Sequence, residues 1–102
     1  MLDITLTYPT PGGSQTIELD RDRTTLGRGS DADYRFDDNS LSRLHATIYR
    51  DGDRVWVVDE NSTNGTFVNG KKIDRATLVT GDRLRVGRVE LILERAGGRR
   101  SV

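Results

Sequence analysis

The sequence contains no cysteine and a single histidine, and its 16 Lys and Arg residues balance 16 Asp and Glu residues. Without cysteine there is no disulfide and no thiolate metal site, and a reducing compartment is acceptable. A single histidine excludes zinc coordination by several imidazoles. A general nucleic-acid binder would carry a basic surplus, which is missing here. Composition therefore argues against disulfide-stabilised, zinc-binding and nucleic-acid-binding classes.

Long apolar runs are also missing. No stretch is long enough to span a bilayer, and the first residues have neither the basic start nor the apolar core of a signal peptide. The length of 102 residues suits one domain with a single core. We therefore expect a cytoplasmic domain over residues 1–95 with no membrane partner. Residues 96–102 are expected to form a flexible tail or linker.

Alternation of apolar and polar residues dominates the chain, and no segment has a convincing helical period. Alternating apolar residues predict strands at Leu2, Ile4, Leu6, Tyr8, Ile17, Leu19, Leu84, Val86, Val89, Leu91 and Leu93. Residues 54–58 are apolar on both faces and predict a central, well-covered strand, whereas residues 73–79 are expected to form no more than a turn. Asp-Gly and Asn-Gly pairs at 51–52, 64–65 and 69–70 indicate hairpin turns with positive φ at both central residues. The predicted fold class is all-β, an antiparallel β-sandwich of many short strands.

Three polar segments share one kind of chemistry. They are Gly27-Arg28-Gly29, Ser42-Arg43-Leu44-His45-Ala46, and residues 61–70 with the sequence NSTNGTFVNG. Arginines, small hydroxyls, amides and tight turns recur in them, with no plausible set of catalytic bases. The first ends the predicted strand 24–26, the second leads into the strand 45–50, and the third follows the strand 54–58. Because a sandwich collects such loops at one edge, they predict capture of an oxyanion there rather than turnover of a substrate.

The order and spacing of these blocks resemble the forkhead-associated (FHA) domain. The later Val68-Asn69-Gly70 and Gly81-Asp82 also lie where that family has them, so the match extends from Leu2 to about Glu94. A Gly-Arg pair alone would be uninformative, but the complete ordered set is highly specific. The resemblance implies an FHA/SMAD-like β-sandwich that recognises phosphothreonine, without catalysis, cofactor or metal. The implied partners are proteins phosphorylated on threonine, as substrates of a Ser/Thr kinase.

The resemblance also implies a role for each residue of the motif. Arg28 would grip the phosphate, Ser42 would donate its hydroxyl to it, and Arg43 would add a second cation. Thr63 would bond near the phosphate, and Asn64 would hold the main chain of the ligand.

Structural roles are implied for three further residues. Gly27 and Gly65 would allow the local conformation, and His45 would brace the Ser42 loop from behind.

Two other functions stay open on the sequence. The same fold could be a phosphate-independent scaffold that dimerises or docks through a sheet face, although the intact set of Arg28, Ser42, Thr63 and Asn64 favours phosphate binding. A hydrolase built on Ser42, His45 and Asp59 has suitable residue types but lacks a nucleophile-elbow motif.

A calcium site is a further alternative, at the acidic residues Asp31, Asp33, Asp37 and Asp38. This group lacks the glycine and the terminal glutamate of an EF-hand loop. A solvated loop is therefore the expected structure.

Overall fold

The computed structural model describes residues 2–97, which form eleven β-strands. In chain order these are β1 (Leu2–Thr10), β2 (Gly13–Glu18), β3 (Arg23–Gly27), β4 (Tyr34–Arg35), β5 (Ala46–Asp51), β6 (Arg54–Asp59), β7 (Thr66–Val68), β8 (Lys71–Ile73), β9 (Arg75–Leu78), β10 (Arg83–Val86) and β11 (Val89–Gly97). No helix that could cross a membrane is found in this part of the chain. The expected all-β fold is confirmed.

The strands form two sheets. One has six strands in the order β2-β1-β11-β10-β7-β8, and the other has five in the order β4-β3-β5-β6-β9. Neighbouring strands are antiparallel, except for the short parallel pair of β3 and β4. The two-sheet arrangement is the predicted sandwich.

The core lies between the two sheets, where alternate side chains of each strand point inward. Leu6, Leu26, Val57, Leu84 and Leu91 are each 0% exposed. Most of the residues that the alternating pattern selected are buried as well, and Tyr8 and Val89 pack against the core while remaining partly exposed. The pattern therefore identified the inward face correctly.

Strand β6 is an interior strand, flanked by β5 and β9, but only one of its faces is fully covered. Val55 and Val57 are buried, whereas Trp56 and Val58 are half-buried on the outer face. The Trp56 ring stacks on Tyr49 of β5 at a centroid distance of 5.5 Å. The outer face of β6 is therefore less buried than predicted.

The prediction of no more than a turn at residues 73–79 is wrong. Arg75–Leu78 forms β9, which pairs with β6, and Leu78 is 1% exposed. Ala76 and Leu78 occupy alternate positions that contact the core, so the short segment follows the strand period. Ile73 and Val79 fall outside this alternation, so the apolar residues of the segment look scattered in the sequence.

The turn chemistry is partly as predicted. Asn69 and Gly70 both have positive φ, at 52° and 85°, as a two-residue turn between β7 and β8 requires. At 51–52 and 64–65 only the glycine has positive φ, so the expectation for those two pairs is wrong. Strand β11 extends to Gly97, and the rest of the expected tail, residues 98–102, lies outside the described residues.

Candidate functional site

The three polar segments meet at one edge of the sandwich, as predicted. Strand β3 ends where its antiparallel neighbour β5 begins, and β6 ends beside that same point. Backbone N–H of Arg28 donates to the carbonyl of Ser42 (2.9 Å), and backbone N–H of Thr63 donates to Oγ of Ser42 (2.9 Å). Ser42 therefore links the first and third segments.

Gly27 sets how closely the first two segments approach each other. A Cβ atom at this position would lie 1.9 Å from the backbone oxygen of Arg43, far inside any tolerable contact. Only glycine lets the end of β3 lie against the Arg43–Leu44 peptide. The hydrogen bond from Gly29 N–H to the Arg43 carbonyl (3.0 Å) continues this contact.

Arg28 is half-buried and partly fixed by the neighbouring loop. Its Nε donates to the carbonyl of Leu41 (3.0 Å). The two terminal NH₂ groups have no hydrogen-bond partner within residues 2–97. A planar guanidinium that is anchored at one nitrogen keeps its remaining donors for a ligand, and those donors suit the oxygens of a phosphate.

Ser42, Arg43 and Thr63 bring further donors to the same edge. Oγ of Ser42 accepts from Thr63 N–H, which leaves the hydroxyl proton to be donated elsewhere. Arg43 and Thr63 are exposed, and their side chains make no hydrogen bond or ion pair to the part of the chain that the structure describes. The amide nitrogen of Asn64 donates to the Ser40 carbonyl (2.8 Å), and this bond fixes the orientation of its side chain.

His45 is completely buried behind the site, at 0% exposure. Its Nδ1 accepts from the backbone N–H of Ser42 (3.0 Å), so the proton of the neutral ring is on Nε2, which donates to the Gly65 carbonyl (2.8 Å). The ring thereby ties the second segment to the third. Neither nitrogen bonds to the hydroxyl of Ser42, and Asp59 bonds to other groups, so the geometry does not form the alternative hydrolase triad.

Asp59 organises the third segment from below. Its Oδ1 accepts from the hydroxyls of Ser62 (2.5 Å) and Thr66 (2.6 Å), and Oδ2 accepts from Ser62 N–H (3.2 Å). Burial raises the pKa of Asp59, but these hydrogen bonds outweigh that effect and the net pKa is lowered. Gly65 follows with φ of 90° and donates its N–H to Oγ of Ser62 (3.0 Å). The charged carboxylate thus shapes the loop that presents Thr63 and Asn64.

A second group of residues that supports the site, around Asp38, was not identified from the sequence. Asp38 accepts from the N–H (2.8 Å) and the hydroxyl (2.7 Å) of Ser40 and pairs with Arg88 (3.3 Å). These bonds from Ser40, with a smaller contribution from Arg88, hold the pKa of Asp38 below its usual range. Oγ of Ser40 accepts in turn from the backbone N–H of Arg88 (2.9 Å). The Asp-x-Ser spacing is the signal of such a turn, but its link to Arg88 spans 48 residues and has no local signature.

The acidic group at residues 31–38 is more than a solvated loop. Asp33 accepts from the backbone N–H of Thr25 (2.9 Å), and that bond chiefly lowers its pKa. Together with the bonds of Asp38, this shows that acidic residues here fix loops. Within residues 2–97, no group of three or more His, Asp or Glu side chains is placed to hold a metal ion.

The comparisons with known proteins agree on one family. The sequence model described as FHA domain matches residues 24–87, and the chain belongs to the FHA domain family. It is 38% identical over 82 residues, or 80% of its length, to a Corynebacterium jeikeium protein named oxoglutarate dehydrogenase inhibitor. It is 38% identical over the same share to the glycogen accumulation regulator GarA of Mycolicibacterium smegmatis.

A solved structure supports the same assignment. It comes from a study of phosphothreonine-dependent FHA domain interactions, and it has 37% sequence identity and a TM-score of 0.84. The alignment covers 90% of this chain and 95% of that one. The match covers only 57% and 52% of the lengths of the two curated relatives, so both are longer than this chain. This chain thus corresponds to about half of each.

Proposed function

We propose that this chain is a non-catalytic module that binds phosphothreonine segments of partner proteins. The observation that carries the proposal is the meeting of the Arg28 guanidinium, the Ser42 hydroxyl and the loop of Thr63 and Asn64 at one edge. Phosphothreonine carries roughly −1.5 to −2 charges and three acceptor oxygens. Fixed donors of this kind match such a ligand.

We assign a role to each residue in the site. Arg28 binds the phosphate with its terminal NH₂ groups, Ser42 donates its hydroxyl, and Arg43 adds a second cation from the exposed side. Thr63 bonds near the phosphate. Asn64 holds the ligand main chain through Oδ1 as acceptor and the second N–H of Nδ2 as donor, because its bond to the Ser40 carbonyl uses only one N–H.

The expected affinity follows from the number of these contacts. Hydrogen bonds to charged groups contribute about 1.5–3 kcal/mol each, and the ordering of ligand and loops opposes them. Two arginines and two hydroxyls then give binding in the micromolar range, about −8 kcal/mol.

The ligand also implies a cellular setting. Phosphothreonine is made by Ser/Thr kinases, so the partners are substrates of such a kinase, and we place the module in the cytoplasm with them. Which proteins these are depends on residues that flank the phosphothreonine.

The test begins with a library of peptides that carry phosphothreonine at a fixed position and random residues around it. A selected peptide is then titrated against wild type, Arg28→Lys and, as a matched control, Arg54→Lys. Arg54 begins β6, at the end of the strand opposite the site. Lysine keeps the charge but lacks the planar fork, so Arg28→Lys should weaken binding at least tenfold and Arg54→Lys less than twofold.

Equal binding by both variants would contradict the assignment of Arg28. Failure of the library to enrich any peptide over its unphosphorylated counterpart would favour the phosphate-independent scaffold instead.

A further inference from the structure

The outer face of the six-stranded sheet carries a basic and aromatic strip beside the site. Strand register places Phe67 of β7 between Lys72 of β8 and Arg85 of β10. The guanidinium carbon of Arg85 lies 3.9 Å from the centre of the Phe67 ring, a cation–π contact. Nη1 of Arg85 also donates to the Gly87 carbonyl (2.8 Å). These two contacts hold the arginine in place, so little freedom remains to be lost when it meets a ligand.

Gly65 connects this strip to the phosphate site. A Cβ atom on Gly65 would lie 3.1 Å from Cε1 of Phe67 and 3.2 Å from Cε of Lys72. Asn64 directly precedes this glycine and Phe67 follows two residues later. Because an extended chain advances roughly 3.3 Å per residue, the strip begins within about 10 Å of Asn64. A ligand held at Asn64 reaches it within two to four residues.

The positive charge of the strip has little compensation. Lys72 is exposed, and the ion pairs formed among residues 2–97 do not include it. Glu90 lies opposite Arg85 in the register of β10 and β11, but the same ion pairs do not join these two side chains. Two cations beside one carboxylate leave a local positive excess in a chain with no net charge, so this face favours an anionic segment.

We propose that the strip of Lys72, Phe67 and Arg85 receives acidic side chains of the phosphorylated ligand, two to four residues from its phosphothreonine. This inference rests on the proposed function, since the ligand must first be held at the phosphate site. Lys72 acts as a flexible exposed charge and Arg85 as a fixed one. The module thereby selects phosphothreonine segments with an acidic flank.

The test compares versions of one selected phosphothreonine peptide. One version has Glu at the second to fourth positions before the phosphothreonine, and another has Glu at the second to fourth positions after it. Each of these two peptides has a matched version in which Gln replaces every Glu. The proteins are wild type, Lys72→Gln, Lys72→Gln with Arg85→Gln, and Lys71→Gln. Lys71 is the control, because it is equally an exposed lysine of β8 and points to the opposite face.

Wild type should prefer the Glu version over its Gln version about threefold to tenfold on one side of the phosphothreonine. Each exposed ion pair raises affinity roughly 1.4-fold to fivefold. Lys72→Gln should therefore reduce the preference for the Glu version, and the double variant should reduce it to below twofold. Lys71→Gln should keep the wild-type preference. The advantage should also shrink with added salt, because exposed charges are screened.

A preference that persists in Lys72→Gln and in the double variant, or that is absent from wild type on both sides, would overturn the inference. The Gln versions separate this result from failure of the proposed function. They should bind wild type and every strip variant with equal affinity, and loss of that binding in wild type would refute phosphothreonine recognition itself. Because Arg85 also bonds to the Gly87 carbonyl, the melting temperature of the double variant is measured as a check on folding. If the double variant is unfolded, the inference is decided by the single variant Lys72→Gln.

Discussion

Gly27 sets the geometry of the proposed phosphate site at the scale of a single residue. Its α-carbon faces the backbone of Arg43 so closely that a methyl group would overlap the carbonyl oxygen. Since both contacting groups are backbone, neither can rotate away. The residue therefore determines where Arg28, its neighbour, emerges from β3.

Gly27→Ala should separate the two loops. Overpacking against backbone costs about 1–3 kcal/mol of unfolding free energy, and phosphothreonine affinity should fall at least tenfold because Arg28 and Ser42 move apart. Gly12→Ala is the control, since nothing lies within 4 Å of a Cβ there. Chemical denaturation and peptide titration measure both effects. An alanine variant with wild-type stability and affinity would show that the close approach is unimportant.

His45 provides a second prediction at this scale. His45→Ala leaves the Ser42 N–H and the Gly65 carbonyl without their partner and opens a cavity, so unfolding free energy should fall by about 2–4 kcal/mol. Affinity should fall in parallel through the loosened Ser42 loop. An unchanged denaturation midpoint combined with complete loss of binding would instead place His45 in direct contact with phosphate.

The motif residues could be predicted from the sequence, whereas much of their support could not. Gly27, Arg28, Ser42 and Asn64 lie in short blocks with a specific order. Ser40 acquires its role only when folding brings Arg88 beside it, 48 residues away. Asp59 fits the alternative hydrolase triad by residue type alone, because an aspartate can equally orient a catalytic histidine or cap a loop. Only the hydrogen-bond partners distinguish the two.

At the scale of elements, the loop of residues 59–66 is held by a carboxylate, and this makes its stability depend on pH. The pKa of Asp59 in the folded protein is below its ordinary value of 3.8. A lowered pKa means that the charged form contributes stability above about pH 4, and that this contribution is lost as pH falls through the folded pKa. Solvent access to the half-buried side chain moderates its size.

Asp59→Asn should therefore lower the unfolding free energy by about 1–2 kcal/mol near neutral pH, through loss of charged hydrogen bonds. The difference from wild type should shrink below about pH 4. Denaturant unfolding of both proteins at several pH values measures the two unfolding free energies. Subtracting the value of the variant from that of wild type removes the contributions of Asp33 and Asp38, which are the same in both proteins. A difference that grows as pH falls would contradict the role of the charged carboxylate.

Strand positions were predictable where apolar and polar residues alternate without interruption, as in β1 and β10. They were missed at β9, where Ala76 and Leu78 alone define the inward face. The outer face of β6 shows the opposite error. Trp56 and Val58 suggested full burial by residue type, but their environment is one partly covered sheet surface, which the sequence pattern does not distinguish from a core.

At the scale of the whole molecule, binding should follow the charge of the ligand. The second pKa of the phosphate is near 6, and arginine stays protonated throughout. From about pH 7.5 to pH 5 the phosphate dianion becomes a monoanion and loses charge-assisted bonds to Arg28 and Arg43. Affinity should fall over this interval, as measured by titration of one peptide in a series of buffers. Constant or rising affinity would show that the dianion is not recognised.

The central claim, that the edge formed by the three loops recognises phosphothreonine, is tested most directly by isothermal titration calorimetry with one peptide in two forms. The phosphothreonine form should bind wild-type protein with a dissociation constant in the micromolar range, about −8 kcal/mol. The unphosphorylated form should give no measurable heat of binding at the same concentrations. Equal binding of the two forms would contradict the account and leave a module that docks without regard to phosphate.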